Sequence, residues 1–329
     1  MTTFTATPAA VHRESSASTP PESSAPAADP PVSKCGAVLH SAQVIGQGAF
    51  SKVVRIGSFA IKIANDVAYC NLLLHEFRVL KRLRGCENIV CALKVGRANA
   101  STFVLVLEYG GLDLIEAFPK STEEAFVVYR QVSKAIEFMH ARHVVHLDIK
   151  TENIVIDSLG RVRLIDFGLS RLLNPTEYDS RTLRGVNGSE AYCCPEILSN
   201  ARYNGFEADS WSLGIFAVAL FSRMLPWTKA TVDDCRFARF VKDDPASSST
   251  YFVHGGILKG VPQWVLSIID ETLVVNADRR RRRWGLGGSG TGVASAHECK
   301  QGVVVVLGGD DGEGEAEETH VAKKERASY

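Results

Sequence analysis

The sequence lacks several features that define common classes of protein. Its eight cysteines include no Cys-x-x-Cys pair, so we expect a reducing compartment and neither a zinc site nor a disulfide framework. Basic and acidic residues balance at 37 each, which gives no electrostatic reason to expect a nucleic-acid partner. The apolar run from Leu213 to Phe221 is too short to span a membrane. We therefore expect a soluble globular protein.

The two ends of the chain differ in composition from its centre. Residues 1–36 hold half of the 12 prolines and are predicted to be disordered, because they cannot bury enough apolar surface. They also lack a basic segment followed by an apolar one, so no secretory signal is expected. We therefore expect an intracellular location, in the cytoplasm, the nucleus or both. Residues 285–329 are glycine-rich and then acidic, and are expected to be either disordered or unusual. One folded domain is predicted over residues 37–284.

Chemically useful side chains surround one predicted hairpin. Two apolar, β-prone runs, Ile154–Ile156 and Val162–Ile165, flank a turn that contains glycine. Because a hairpin brings its two ends together, Asp148 and Asn153 before it should meet Asp166 after it. The oxygen atoms of Asn153 and Asp166 suit a hard cation such as Mg²⁺. Asp148 is a carboxylate that can orient and deprotonate a hydroxyl group.

A second set of residues precedes this hairpin. The turn Gly46-Gln47-Gly48 lets backbone N–H groups approach phosphates closely, and Lys62 ends an apolar strand just after it. Apolar residues at i, i+4 spacing predict a helix over Tyr69–Arg84. Glu76 on this helix is either the partner of Lys62 or a solvated carboxylate. A strand at Phe103–Leu107 and a helix at Glu123–His143 are predicted further along.

Together these motifs resemble those of the eukaryotic-type serine/threonine protein kinases. The segment His146–Asn153 reads H-x-D-x-K-x-x-N, Asp166–Gly168 reads D-F-G, and Gly46–Val53 is close to G-x-G-x-x-G-x-V. Gly188–Glu196 resembles G-T-x-x-Y-x-A-P-E, and Asp209–Gly214 resembles D-x-W-S-L-G. Small-molecule kinases generally lack the last two elements, so the expected substrate is a protein.

The resemblance implies a fold, a reaction and a set of site residues. The fold is α+β and two-lobed, with a small β-rich N-lobe and a mostly helical C-lobe. The reaction is transfer of the γ-phosphate of ATP, with Mg²⁺, to serine or threonine hydroxyl groups of proteins. The implied catalytic residues are Asp148, Lys150, Lys62 and Glu76, and the implied magnesium ligands are Asn153 and Asp166. Ser189 fits the same serine/threonine pattern as Lys150.

ATP is expected between the lobes, against the glycine-rich turn and the segment after Leu107. Backbone groups of Glu108 and Gly110 are expected at the adenine edge, whereas Asp113 either reaches the ribose or caps a helix. The full set of residues expected to contact ATP is Ile45, Gly46, Gln47, Gly48, Ala49, Phe50, Ser51, Lys52, Val53, Lys62, Glu108, Gly110 and Asp113.

Two departures from the family pattern matter for function. Ser51 replaces the third loop glycine, and Leu147 replaces the arginine that usually precedes the catalytic aspartate. The combination of Leu147 and an irregular C-terminal end resembles the pattern of kinases encoded by large DNA viruses, herpesviruses in particular. Such an origin would place the protein in a host cell. The alternative is a pseudokinase acting as a nucleotide-binding scaffold or regulator. Such a protein typically lacks one of Lys62, Asp148, Asn153 or Asp166, and all four are present. The oligomeric state is left open.

Leu147 leads to a prediction about regulation. In many kinases, an arginine at this position pairs with a phosphate on the loop that follows D-F-G. Leu147 can neither donate a hydrogen bond nor balance that charge, so we expect activity without loop phosphorylation. The measurement is phosphotransfer by a Ser180→Ala/Thr182→Ala double variant beside phosphatase-treated parent protein. Both samples should keep most of their activity, and loss of activity in both would contradict this interpretation of Leu147.

Overall fold

The computed structural model describes residues 42–100, 102–174, 182–185, 188–243 and 247–280. The predicted tails, residues 1–36 and 285–329, lie outside the described residues. The described chain forms a small lobe dominated by β-strands and a larger lobe dominated by helices. The predicted α+β, two-lobed fold class is therefore confirmed.

The small lobe is built on one five-stranded antiparallel sheet. Its strands are β1 (Gln43–Gln47), β2 (Ser51–Ile56), β3 (Phe59–Ala64), β4 (Ala92–Arg97) and β5 (Phe103–Glu108). They lie in the order β1-β2-β3-β5-β4, with every neighbouring pair antiparallel. A small apolar core covers the outer face of this sheet, and its buried residues are Val54, Ile61, Ala98, Val104 and Val106.

The helix of the small lobe packs on the inner face of the sheet. Helix α1 (Cys70–Arg82) follows a 3₁₀ turn at Val67–Tyr69, which Asp66 caps by accepting a backbone N–H. The predicted helix over Tyr69–Arg84 is therefore found, and its C-terminal end comes two residues earlier than expected. Its buried residues are Leu73, Glu76, Val79 and Leu80. A carboxylate thus lies on the face that the helix buries.

The larger lobe contains the remaining helices of the described residues. They are α2 (Thr122–His140), α3 (Pro195–Leu198), α4 (Gly205–Ser222), α5 (Cys235–Asp243), α6 (Ser248–His254) and α7 (Gln263–Thr272). Helix α2 was expected over Glu123–His143. It begins earlier because Ser121 accepts the Glu124 N–H as a cap, and it ends at His140, before His143 adopts a left-handed φ of 56°.

Five further strands of the described chain are short and form two small sheets. They are β6 (Leu112–Asp113), β7 (Val144–Val145), β8 (Ile154–Ile156), β9 (Val162–Leu164) and β10 (Arg171–Leu172). Strands β8 and β9 form the predicted hairpin, and β6 adds a third strand to it. In the turn, Asp157 accepts the N–H groups of Leu159 and Arg161, and Gly160 has a φ of +73° that glycine adopts without strain.

Helix α4 lies at the centre of the larger lobe, and nearly all of its side chains are buried. Gly214 allows helix α7 to approach closely, since a Cβ there would lie 2.4 Å from Thr272 Oγ1 and 2.7 Å from Leu273 Cγ. Although α4 is largely apolar, no helix within the described ranges has the length and apolar content needed to cross a membrane.

A buried ion pair ties the end of the described chain to the larger lobe. The segment Asn276–Arg280 resembles the D-P-x-x-R motif of the protein kinases, whose arginine is expected to pair with the glutamate at the position of Glu196. In the structure these two side chains meet. Arg280 Nη2 lies 3.1 Å from Glu196 Oε1, and Nη1 lies 3.3 Å from Oε2. Its Nε donates to the Val274 carbonyl, and its guanidinium lies 4.9 Å from the ring centroid of Trp211. Burial alone would raise the pKa of Glu196, but Arg280 lowers it.

We predict that Arg280→Met destabilises the protein by about 3 kcal/mol, because it leaves the Glu196 carboxylate without its partner. The measurement is the free energy of unfolding in denaturant. The contribution of the pair should be full above the unfolded glutamate pKa of about 4.3, and lost as the pH falls through the lower folded value.

The matched control is Arg279→Met, because Arg279 is the exposed neighbour of Arg280. Its free energy of unfolding should stay within about 0.5 kcal/mol of the parent value. Equal stability of the two variants would show that the buried pair adds nothing to the fold.

Candidate active site

Three charged side chains meet where the small lobe faces the hairpin. Lys62 on β3 lies 2.8 Å from Glu76 Oε2 on α1 and 2.7 Å from Asp166 Oδ1. Glu76 also accepts the backbone N–H of Phe167 through Oε1. Sheet, helix and hairpin are therefore joined through one ammonium group, and Glu76 is a partner of Lys62, not a solvated carboxylate.

The charges of this group depend on one another. Burial alone would lower the pKa of Lys62, but Glu76 and Asp166 outweigh it and raise that pKa. The partial burial of Asp166 would likewise raise its pKa, but Lys62 lowers it. Glu76 is only 1% exposed, and its burial raises its pKa against the opposing effect of Lys62. The positive charge of Lys62 thus opposes the effect of burial on both carboxylates.

Asp148 is held by donors on both of its carboxylate oxygens. Oδ1 accepts the N–H and the hydroxyl of Ser189, each at 2.9 Å. Oδ2 lies 3.0 Å from Asn153 Nδ2 and 2.9 Å from Lys150 Nζ. Lys150 also donates to Ser189 Oγ at 2.7 Å. A carboxylate offers about four acceptor positions, so this one is fully occupied.

Asn153 and Asp166 offer the oxygen atoms that a magnesium nucleotide requires. Asn153 commits its amide nitrogen to the carbonyl and carboxylate of Asp148, which leaves its amide oxygen for another partner. The Ile165 N–H donates to the Asn153 carbonyl, so Asn153 lies beside the chain that leads into Asp166. The Asp166 side chain is 47% exposed. This donor set, with Lys62 beside it, fits ATP and Mg²⁺.

Asp209 supports the backbone of His146 and Leu147, just before Asp148, a role that its sequence motif did not reveal. Its carboxylate is 0% exposed, accepts the N–H groups of His146 and Leu147 at 2.9 and 2.8 Å, and lies 2.8 Å from His140 Nε2. His146 in turn accepts the Asp148 N–H and packs edge-on against Phe167. Asp209 lies more than 60 residues after the two N–H groups that it accepts, so these bonds left no local signal in the sequence.

The segment after β5 lies close to the hairpin because it contains two glycines. A Cβ at Gly110 would lie 2.4 Å from Val155 Cγ2, and one at Gly111 would lie 2.0 Å from the Ile156 carbonyl oxygen. The side chain of Glu108 is engaged by the Cys91 N–H and by Arg163. Only the backbone of Glu108 could therefore face a ligand.

Asp113 has the geometry of a cap. Its Oδ1 accepts the N–H groups of Ile115 and Glu116 in the turn that follows β6. Asp113 therefore caps a turn and not the expected helix, because the next helix of the described chain begins at Thr122. Its role toward a ribose stays a prediction.

The glycine-rich turn closes the β1–β2 hairpin. The Gly48 N–H donates to the Ser51 carbonyl at 2.9 Å, and the Phe50 ring at the tip is half exposed. Ile45, Gly46 and Gln47 lie on β1, Ser51, Lys52 and Val53 lie on β2, and Ala49 lies between the two strands. The residues from Ile45 to Val53 that are expected to contact ATP therefore form one continuous hairpin, and its second strand pairs with β3, where Val53 lies opposite Lys62.

The structure describes only part of the loop that follows the D-F-G segment, Asp166–Gly168. Ser180 lies outside the described residues, whereas Thr182 is described and exposed. Leu147 is 3% exposed and belongs to the main apolar core. It therefore packs inside the protein and offers no polar group to this loop.

Comparison with known proteins finds one matching family and several similar proteins. Residues 39–282 match the family described as protein kinase domain. Probable serine/threonine-protein kinase MARK-C of Dictyostelium discoideum is 37% identical over 232 residues, which are 64% of this chain and 29% of that protein. MARK-A of the same organism is 32% identical over 202 residues, 56% of this chain and 18% of that protein. CBL-interacting protein kinase 12 of Oryza sativa subsp. japonica is 33% identical over 201 residues, 56% of this chain and 36% of that protein.

The contacts of Lys62 lead to a prediction about its proton. Glu76→Gln removes one of the two carboxylates that raise its pKa, while Lys62 stays buried. The pKa of Lys62 should therefore fall, with Asp166 as the remaining carboxylate that raises it. The measurement is the pH dependence of its labelling by an amine-specific reagent, read by mass spectrometry. Labelling of the exposed Lys259 serves as the control and should match in both proteins. An unchanged Lys62 profile would show that Glu76 does not govern the charge of Lys62.

Proposed function

Because the chain belongs to the protein kinase family, we propose that it transfers the γ-phosphate of ATP, with Mg²⁺, to serine or threonine hydroxyl groups of proteins. The matching segment covers well over half of the chain. The observation that carries the proposal is the contact set of Asp148, whose carboxylate meets Lys150, Ser189 and Asn153 at 2.9 to 3.0 Å. A candidate base, a cation and a possible metal ligand are thus within reach of one reacting hydroxyl.

In this proposal Asp148 binds the acceptor hydroxyl and takes its proton. Both carboxylate oxygens are already engaged, so the acceptor must replace one donor. Ser189 is the donor that can be replaced most readily, because its N–H still serves Oδ1 after its hydroxyl moves away. Lys150 bridges Ser189 and Asp148, and it is placed to balance negative charge that develops during the transfer.

The residues of the small lobe hold the nucleotide. Lys62 grips the phosphates, and Glu76 keeps its ammonium in place from the buried side. Asn153 and Asp166 supply oxygen ligands to the metal. Bound ATP would supply the transferable phosphoryl group, and bound Mg²⁺ would neutralise much of its charge. The protein contributes position and electrostatics.

The acceptor class is argued from Lys150 and Ser189 and from the serine/threonine kinases among the relatives. This chain spans less than two-fifths of the length of the three relatives named above, so their whole activities do not transfer to it. No observation within the described ranges favours the pseudokinase alternative. The viral subfamily and the intracellular location stay predictions from the sequence.

We expect Asp148→Asn to lower the rate of phosphotransfer by about 10²- to 10⁴-fold, because the amide cannot accept the proton. ATP affinity should stay close to the parent value, since Asp148 lies on the acceptor side of the site. The measurements are transfer of labelled phosphate to a serine/threonine peptide library and calorimetric ATP binding.

The matched control is Asp233→Asn, which changes an exposed aspartate of the larger lobe. Its turnover should equal that of the parent. Substantial turnover by a folded Asp148→Asn protein would remove Asp148 from the role of base.

A further inference from the structure

We propose that Asn65 is a positioning residue that holds the phosphate-binding turn in its nucleotide-ready shape. This inference rests on the proposed function and adds a residue that the kinase motifs do not contain. Asn65 directly follows strand β3, three residues after Lys62. Its side chain is exposed, so its contacts are not explained by packing in a core.

Asn65 binds three consecutive carbonyl groups at the tip of the turn. Its side-chain Nδ2 donates to the carbonyls of Gly48 at 3.0 Å and Ala49 at 3.1 Å. Its backbone N–H donates to the Phe50 carbonyl at 3.0 Å. An amide nitrogen carries two hydrogens, so one side chain can serve both of the first two carbonyls.

These bonds fix the direction of two backbone N–H groups. A trans peptide unit is planar, so the N–H of each residue points opposite to the carbonyl of the residue before it. The carbonyls of Gly48 and Ala49 face Asn65. The N–H groups of Ala49 and Phe50 therefore face away from Asn65.

The side facing away from Asn65 is the side of Lys62. Side chains alternate along a strand, so Asn65 shares a face with Ile61 and Ile63, which pack in the outer apolar core. Lys62 lies on the opposite face, where it meets Glu76. The N–H groups of Ala49 and Phe50 are thus turned toward the phosphate-binding side, where successive N–H groups bind anions.

A second contact restrains the same tip. The Phe50 ring lies 5.2 Å from the Tyr69 ring, edge to face, just before helix α1. The turn is therefore attached to the end of β3 and to the start of α1. Of these two contacts, only that of Asn65 binds the peptide groups of the turn directly. Replacing Asn65 should therefore let these peptide groups rotate while the β1 and β2 strands remain paired.

The test compares ligands with and without phosphates. Asn65→Ala should weaken binding of ATP·Mg²⁺ and of ADP by about three- to tenfold, the value of one modest hydrogen-bond contribution. Adenosine affinity should not change, because adenosine carries no phosphate. Asn65→Asp should weaken ATP binding further, since a carboxylate repels both the carbonyls and the nucleotide. All affinities are measured by calorimetry on the full chain.

The control variant is Asn99→Ala. Asn99 is also an exposed asparagine, and its side chain accepts the Thr102 N–H in the turn between β4 and β5. Binding of all three ligands should match the parent. A second readout needs no ligand: hydrogen exchange at the Gly48 amide, which donates to the Ser51 carbonyl in the same turn, should be faster in Asn65→Ala than in the parent.

The outcomes separate this inference from the proposed function. Unchanged ATP affinity and exchange in Asn65→Ala would overturn the role of Asn65, and so would equal weakening of ATP and adenosine. Parent protein that binds no ATP would overturn both proposals. Parent protein that binds ATP with the expected Asn65 dependence but transfers no phosphate would overturn the proposed function alone.

Discussion

The buried carboxylate of Asp209 is the interaction on which the rest of the site depends. Leu147 has a φ of 67°, a left-handed conformation that costs a residue other than glycine about 1–2 kcal/mol. Asp209 stabilises that conformation by accepting the N–H groups of His146 and Leu147 together. A carboxylate without solvent access needs such donors, since an isolated buried charge is very unfavourable. The strained segment and the buried charge therefore require each other, and Asp148 follows directly after them.

Contacts that follow from local patterns could be predicted from the sequence. The hairpin was expected to bring Asp148, Asn153 and Asp166 to one end, because a glycine-containing turn connects its two strands. Contacts between distant elements could not, and the bonds of Asp209 to a segment more than 60 residues earlier leave no periodic signal. Helix ends were also misjudged, because they depend on single capping contacts such as Ser121. Asn65 was missed because its function lies in its bonds to backbone carbonyls, which no side-chain pattern records.

The two departures from the family pattern have different physical meanings. Ser51 replaces a glycine, yet it lies on strand β2 in register with Ala64, where the backbone is extended and glycine has no conformational advantage. Leu147 changes the chemistry of its position, because an apolar side chain that is buried in the main core replaces a cation. The first exchange leaves the turn intact. The second ties the catalytic segment to the apolar core and removes its electrostatic link to the neighbouring loop.

The full occupancy of Asp148 has a consequence for water. A water molecule that enters the cleft meets a carboxylate whose acceptor positions are already taken by Ser189, Asn153 and Lys150. It can be activated only by displacing one of these donors, and a small mobile molecule gains little binding energy with which to do so. A protein substrate gains such energy from its contacts along the cleft. If Asp148 is the base of the proposed reaction, the hydrogen bonds that hold its carboxylate therefore also disfavour the hydrolysis of ATP by water.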